Sequence, residues 1–267
     1  MEQIRARPAA TIVVIREQNE ALEILMLRRS ADVTAASGAY VFPGGGVDDV
    51  DAEVVARRLV SGRDDASADR RLDLDRGALT YYCAALRELF EEAGILLVVD
   101  ARGERVELRA PELVAWREEL AGSRVAWSDL LAREGLRLAV GELHYMAHWV
   151  TPVTRPRQYD TRFFVARAPA GQLARADGVE TIEHVWVTAD EALRRLGAAE
   201  WHMLVPTVHT LSALAPMRRV EEVLRHFATS PVRRTQPREI ERDGRLVVVI
   251  PGEEGYEVTL IDGSSGK

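Results

Sequence analysis

Lysine and cysteine are almost absent from this chain of 267 residues. Of its 35 cationic side chains 34 are arginine, and the single lysine is Lys267. No internal lysine is therefore available for a Schiff base, a phosphate-binding loop or a Ser-Lys pair, so arginine, backbone amides or a metal must bind any phosphate. Cys83 is the only cysteine, which excludes an intrachain disulfide and a cysteine-based zinc cluster and indicates a reducing compartment.

Excess positive charge and long apolar runs are lacking as well. Asp and Glu number 42, giving a net charge of −7, and nothing in such a chain offsets repulsion by nucleic-acid phosphates. No run approaches the roughly 20 apolar residues of a membrane span. The apolar run at 9–15 is also too short for a signal peptide. We expect a soluble cytoplasmic protein that binds neither nucleic acid nor membrane.

Hydrophobic periodicity predicts an α+β fold in which a sheet is flanked by helices. Apolar residues make up 47% of the chain, enough for a substantial core. The predicted strands are 9–15, 22–28, 95–99, 143–150, 162–168 and 183–187. The predicted helices are 79–93, 111–120, 127–133, 188–196, 200–214 and 216–228. A terminal hairpin is expected around the Asp-Gly pair at 243–244. Residues 52–79 are rich in charge, so we expect part of 52–60 to be helical and the remainder to be a solvated insertion.

Three carboxylates near the end of the predicted helix 79–93 carry the chemistry. Glu88, Glu91 and Glu92 are spaced i, i+3 and i+4, so they share one face, where like charges cost a few tenths of a kcal/mol per pair. A hard divalent cation such as Mg²⁺ or Mn²⁺ offsets that repulsion. The alternative is a solvated acidic helix face. A Phe-Pro-Gly-Gly-Gly turn at 42–46 and the apolar back of the helix favour a metal site beside a flexible glycine loop.

These residues resemble the signature of the Nudix hydrolases, G-x5-E-x7-R-E-U-x-E-E-x-G-U, where U is a bulky aliphatic residue. Gly45 matches the first glycine, and the run from Arg87 to Ile95 matches the second half without a break. Asp51 stands where the signature has glutamate, and about 28 residues, 52–79, are inserted. The departures leave a metal role for Asp51 in doubt.

An insertion at this place resembles the branch that contains the peroxisomal coenzyme A and acyl-coenzyme A diphosphatases. Residues 24–45 keep the Arg-Ser, glycine and Phe-Pro-Gly-Gly spacing of a coenzyme A-specific element, although Thr34 stands where that element has arginine. The segments 149–164, 217–227 and 245–257 also look like this branch. The resemblance implies one Nudix domain over 1–267, an α/β/α sandwich with a mixed sheet, the 52–79 insertion and a C-terminal extension of helices and a hairpin over 200–267.

The resemblance also implies roles for individual residues. Glu88, Glu91 and Glu92 become metal ligands, with Gly45 offering a backbone carbonyl and Arg87 orienting the carboxylates. Related enzymes often place a further glutamate where this chain has Glu180. It is a candidate base or metal ligand, Glu183 competes for that role, and a solvated loop acid is the alternative for each. The cofactor expected is Mg²⁺ or Mn²⁺.

The implied substrate is a small nucleotide-linked molecule. Coenzyme A or its acyl thioesters are preferred, with adenosine 3′,5′-bisphosphate and (acyl-)phosphopantetheine as products. ADP-ribose or NADH is a rival substrate, and a Nudix-fold nucleotide sensor without turnover is a rival of another class. Arg29, Arg155 and Arg157 are candidates to bind the phosphates bidentately, against ordinary surface arginines. Tyr40 or Trp149 can stack on adenine or belong to the core. A homodimer is left open as the assembly.

Overall fold

The fold is built around two long neighbouring strands, β1 (Arg7–Gln18) and β2 (Ala21–Arg29), which confirm the first predicted pair. Asn19 and Glu20, both with positive φ, form the tight turn between them. The computed structural model describes residues 6–31, 36–253 and 257–259. Thr34, where the coenzyme A-specific element departs from its pattern, lies outside these residues.

The remaining elements follow in chain order. The strands are β3 (Tyr40–Val41), β4 (Gly44–Gly46), β5 (Val98–Val99), β6 (Arg137–Leu138), β7 (His144–Val150), β8 (Tyr159–Arg167), β9 (Thr181–Val187), β10 (Arg234–Thr235), β11 (Arg238–Arg242), β12 (Arg245–Val249) and β13 (Glu257–Thr259). The helices are α1 (Asp49–Ala56), α2 (Asp65–Leu72), α3 (Leu79–Ala93), α4 (Ala110–Ala121), α5 (Trp127–Arg133), α6 (Ala189–Gly197), α7 (Val205–Leu214) and α8 (Val220–Thr229), with a 3₁₀ turn at Val140–Glu142.

The main sheet is mixed and has the order β10-β7-β8-β1-β2-β3, with β4 pairing β1 and β9 pairing β2. β8 runs parallel to β1, whereas β2 and β4 run antiparallel to it. Because side chains alternate along a strand, β1 contributes side chains to two core clusters, one on each face of the sheet. Ile12 and Val14 pack in the cluster that contains α3, and Val13 and Ile15 pack in the cluster that contains α7 and α8. The sheet therefore lies between two helical layers, as the α+β prediction requires.

The insertion at 52–79 is more ordered than its composition indicated. It begins inside α1 and contains α2, whose Ala68 and Leu72 are buried in the main core. Arg71 donates hydrogen bonds to the carbonyl oxygens of Tyr145 and Phe227, at 3.0 and 2.9 Å, and so ties α2 to β7 and α8. The prediction of a solvated remainder was wrong for α2, because its two buried apolar residues are enough to hold this short helix against the core.

The segment 95–99 also differs from its prediction. All five of its residues are buried, but only Val98 and Val99 form a strand, and they pair with β6 in a separate two-stranded sheet. The C-terminal hairpin is confirmed: β11 and β12 pair antiparallel around Asp243 and Gly244, both with positive φ, and β13 adds a third strand. Among the described residues, no helix is both long and apolar enough to cross a membrane.

Candidate active site

The acidic face of α3 is held by the apolar back of that helix. Leu86, Leu89 and Phe90 are fully buried, which turns the last two turns of the helix toward β4. The predicted bounds 79–93 are confirmed, and Gly94 ends the helix in the left-handed conformation with φ +68°. Burial of the three carboxylates is unequal: the Glu88 side chain is 13% exposed, that of Glu91 is 43% exposed, and Glu92 is buried.

The glycine strand β4 packs directly against these carboxylates. The Gly44 N–H donates to Glu92 Oε2 at 3.0 Å. A Cβ atom on Gly45 would lie 2.5 Å from Glu88 Oε1, so any other residue at this position would displace the Glu88 carboxylate. Glycine at this position is therefore what allows the backbone to approach the carboxylate. The sequence predicted a flexible glycine loop beside the carboxylates; the glycines instead form a strand paired with β1, and Glu88 is the group that Gly45 approaches.

Arg87 is the centre of a buried ion-pair network. Its Nε and Nη2 atoms donate to the two carboxylate oxygens of Asp51, each at 3.0 Å, and Nη2 also donates to the Gly46 carbonyl oxygen at 2.8 Å. Its Nη1 atom donates to Glu88 at 2.7 Å and to Glu91 at 3.2 Å. One guanidinium thus fixes two carboxylates of the acidic face.

Asp51 acquires a clear role in this network. It is fully buried and also accepts a hydrogen bond from the Asp48 backbone N–H at 2.9 Å, so its position is set by the first turn of α1. Burial raises the pKa of the Asp51 carboxyl, and the bonds from Arg87 act in the opposite direction. Although burial alone lowers the pKa of Arg87, the hydrogen bond to Asp51 raises it overall, so Arg87 stays charged. The sequence did not predict this pairing, because the two residues lie 36 positions apart.

The carboxylates on α3 carry more negative charge than their surroundings neutralise. Burial, together with repulsion from Glu91, raises the pKa of Glu88 to about 7 despite the charge of Arg87. Burial and repulsion from Glu88 raise the pKa of Glu92 to about 8. Burial raises the pKa of Glu91 as well. Clustered carboxylates with raised pKa values in one place are typical of a functional site.

A hard divalent cation fits the chemistry of this donor set. The available groups are carboxylate oxygens and the glycine backbone, which suit Mg²⁺ and Mn²⁺ and not softer metals. In the part of the chain that the structure describes, no three acidic, histidine or cysteine side chains are grouped closely enough to enclose an ion. Glu88 and Glu91, each of which accepts from Arg87 through one oxygen, must therefore rotate for the three carboxylates to share one cation.

Glu180 is placed at the rim of the acidic face. It directly precedes β9, and its carbonyl oxygen accepts from the Ser30 N–H at 2.8 Å. Its side chain is 62% exposed and lies 4.0 Å from Arg29 Nη2. Its charge contributes to the raised pKa values of Glu91 and Glu92. A solvent-exposed carboxylate beside buried ones is a suitable geometry for a base that acts on water.

Arg29 also lies near the acidic face. Its charge acts on the Glu92 carboxyl, lowering the pKa that burial raises. Its Nε atom is buried and has no hydrogen-bond partner among the described residues, which leaves a donor available for a phosphate oxygen. Glu183 is directed elsewhere: it accepts from the Tyr40 hydroxyl at 3.1 Å and lies 3.7 Å from Arg28. Of the two competing acids, the geometry brings Glu180 to the acidic face.

The structure does not bring the other phosphate candidates to this face. Arg155 Nε donates to Glu239 at 2.6 Å, an ion pair that joins the β7–β8 loop to β11. Arg157 is exposed in the same loop. Tyr40 stacks on Trp201 with ring centroids 3.8 Å apart, and Trp149 is buried in the core cluster with α7 and α8. The roles of these residues toward substrate stay predictions.

Comparison with known proteins decides the family. The model of the NUDT19 Nudix domain matches residues 57–214, more than half of the chain. The chain belongs to this Nudix family. A crystal structure of a Nudix hydrolase from Alicyclobacillus acidocaldarius is 31% identical, with a TM-score of 0.71, and the match covers 85% of this chain and 99% of that one. The Nudix sandwich is thereby confirmed, and the protein is an enzyme, a Nudix diphosphatase.

Curated relatives of this Nudix hydrolase include acyl-coenzyme A diphosphatases. NUDT19 of Xenopus laevis, which carries that name, is 25% identical over 88% of this chain and 71% of its own length. NUDT19 of Homo sapiens, with the same name, is 24% identical over 89% of this chain and 73% of its own length. The similarity extends well beyond the signature, so the resemblance to the coenzyme A branch is confirmed. Nudix hydrolases in general require divalent cations, in agreement with the oxygen-rich site.

Proposed function

We propose that the protein hydrolyses the diphosphate of coenzyme A or acyl-coenzyme A with Mg²⁺ or Mn²⁺, giving adenosine 3′,5′-bisphosphate and (acyl-)phosphopantetheine. The observation that carries the reaction is the cluster of carboxylates on α3, two of them buried or nearly so, packed against the glycine strand β4. The relatives match most of this chain, and their names support the choice of substrate. Homologues are named for coenzyme A thioesters, and this chain keeps the Phe-Pro-Gly-Gly segment at 42–45.

The residues of the proposed site have different roles, which follow from their positions. Glu88, Glu91 and Glu92 hold the cation, with the Gly45 carbonyl beside them. When bound, the cation neutralises charge on the diphosphate and lowers the pKa of the attacking water. Arg87, anchored by its buried aspartate, keeps two of the carboxylates in place, so that little reorganisation is needed during the reaction.

Two further side chains complete the proposed mechanism. Glu180, exposed at the rim, accepts the proton of the attacking water. Arg29, with its buried Nε donor, binds a phosphate oxygen. Because the chain has no internal lysine, arginine is the only long cationic side chain available to bind the diphosphate near the carboxylates.

A substrate panel tests the proposal. Purified protein is incubated with Mg²⁺ or Mn²⁺ and with coenzyme A, acetyl-coenzyme A, NADH and ADP-ribose, and products are identified by mass spectrometry. We expect the coenzyme A substrates to be cleaved with the highest kcat/KM. A preference for ADP-ribose or NADH would overturn the substrate assignment and leave the diphosphatase. Tight nucleotide binding without turnover of any substrate would indicate the sensor instead.

A further inference from the structure

A polar cavity of about 270 Å³ lies at the edge of the main sheet among α2, β7, β8 and β10. None of its lining residues belongs to the acidic face. Two aspartates and two apolar residues line it, together with three arginines from different elements, one histidine and one buried tyrosine. The arginines, the histidine and the tyrosine are Arg71, Arg162, Arg234, His148 and Tyr145. The cavity exceeds many-fold the space that one water molecule requires.

Arg162 is the buried cation of this cavity. It is 5% exposed, and its Nη1 atom donates to the Tyr145 hydroxyl at 2.9 Å and to His148 Nδ1. Its Nε atom is buried and has no hydrogen-bond partner among the described residues. The nearest carboxylate oxygen, on Asp160, is 3.7 Å from this Nε, which is beyond hydrogen-bond distance. A buried guanidinium donor without an acceptor calls for a ligand.

The acids of the cavity do not neutralise its arginines. His148 lies between the two charges, hydrogen-bonded through Nδ1 to the Arg162 guanidinium and through Nε2 to Asp160 at 2.7 Å. Asp73 is exposed at the mouth. Arg71 donates to backbone carbonyls, which satisfy its hydrogen bonds and leave its charge uncompensated. Three guanidiniums thus face two carboxylates, and the cavity is net positive.

The cavity and the acidic face are close to each other along the sheet. Along the sheet, Arg162 pairs with Ala10 of β1, and Ala10 pairs with Gly45 of β4. Two strand spacings, or roughly 10 Å, therefore separate the backbones of Arg162 and Gly45. The Arg162 guanidinium is 5.7 Å from the ring of Tyr81, on α3, so it lies on the same side of the sheet as the carboxylates.

We propose that this cavity binds a phosphate monoester. Guanidiniums recognise this dianion bidentately, and the unpartnered Nε supplies a buried donor. Its source in the cell is either the substrate itself or free phosphate. For the substrate proposed above, the monoester is the 3′-phosphate of coenzyme A, one ribose away from the scissile diphosphate; this part rests on the proposed function. The 52–79 insertion supplies Arg71 and the C-terminal extension supplies Arg234, so both additions take part in this binding.

Binding without turnover tests the cavity independently of the enzyme reaction. Calorimetric titrations in EDTA compare adenosine 3′,5′-bisphosphate, AMP and inorganic phosphate on the wild type, Arg234→Gln and the exposed helical control Arg225→Gln. Loss of one charge-assisted contact is expected to weaken bisphosphate binding about tenfold in Arg234→Gln and not in Arg225→Gln. Arg162→Lys, which keeps the charge but removes the fork, should weaken it as well. Bisphosphate and AMP affinities that neither Arg234→Gln nor Arg162→Lys weakens, combined with no binding of inorganic phosphate, would overturn the proposal.

Turnover then identifies the source of the phosphate. If the substrate supplies it, the wild type prefers coenzyme A over 3′-dephospho-coenzyme A, and Arg234→Gln reduces this preference about tenfold. If free phosphate supplies it, inorganic phosphate binds the wild type and not Arg234→Gln, and both substrates are cleaved alike. Failure to cleave either substrate would refute the proposed function, whereas the titrations would still decide whether the cavity binds a monoester.

Discussion

Replacing Glu92 by glutamine is expected to stabilise the metal-free protein at alkaline pH while abolishing turnover. The Glu92 carboxylate is buried, with its pKa raised to about 8 by burial and by repulsion from Glu88. Glutamine has nearly the same shape, and its amide oxygen can still accept the Gly44 N–H, so the substitution removes charge and little else.

The magnitude follows from linkage between protonation and folding. One pKa unit corresponds to about 1.4 kcal/mol, so a rise from 4.5 to about 8 costs on the order of 5 kcal/mol once Glu92 is ionised. Part of this cost is shared with Glu88, whose own pKa is raised to about 7. We therefore expect Glu92→Gln to add about 2–4 kcal/mol to the free energy of unfolding at pH 8.5.

The sign of the pH dependence is fixed by the same values. Below pH 4.5 both the folded and the unfolded carboxyl are protonated, and no cost arises. Between pH 4.5 and about 8 the unfolded chain loses its proton while folded Glu92 keeps it, so stability falls as pH rises. The advantage of Glu92→Gln should therefore be small at pH 5 and reach its full size above pH 8.

Urea unfolding in EDTA at pH 5, 7 and 8.5 measures this difference. Glu118→Gln, which removes a charge from an exposed position of α4, is the matched control and should change stability by less than about 0.5 kcal/mol. Mg²⁺ should stabilise the wild type more than Glu92→Gln. The reasoning is refuted if Glu92→Gln is no more stable than the wild type at pH 8.5, or if its advantage is the same at pH 5.

Two further substitutions test the packing around the acidic face. Gly45→Ala places a Cβ 2.5 Å from Glu88 Oε1 and should lower kcat at least tenfold. The control is Gly46→Ala, which has nothing within 4 Å of its Cβ and should behave like the wild type. Equal kinetics of the two variants would contradict the close approach of Gly45 to Glu88. Asp51→Asn removes the buried counter-charge of Arg87 and should cost about 3 kcal/mol in urea unfolding, and an unchanged midpoint would show that the ion pair does not hold Arg87.

Local pattern was sufficient to predict the elements that position the site. The bounds of α3 follow from apolar spacing and from Gly94, because a helix of that length needs one buried stripe and a stop signal. Short apolar runs located the strands β1, β2, β7 and β9 in the same way. By contrast, α2 was missed since only Ala68 and Leu72 are buried in an otherwise charged helix.

Contacts between distant residues could not be predicted from pattern. Asp51 and Arg87 are 36 positions apart, and nothing local indicates that an aspartate at the edge of an insertion is fully buried. Arg155 was a reasonable phosphate candidate by its residue type, but its partner Glu239 lies 84 positions away. The arginine-lined cavity went unnoticed for the same reason, because Arg71, Arg162 and Arg234 come from three remote segments.

Turnover by variants of the acidic face tests the central claim most directly. Coenzyme A hydrolysis with Mg²⁺ is followed by mass spectrometry for the wild type, Glu91→Gln and Glu92→Gln, with circular dichroism as the check on folding. We expect release of adenosine 3′,5′-bisphosphate by the wild type and loss of turnover by at least about a hundredfold in both folded variants. Full activity of both variants would contradict the assignment of these carboxylates as metal ligands.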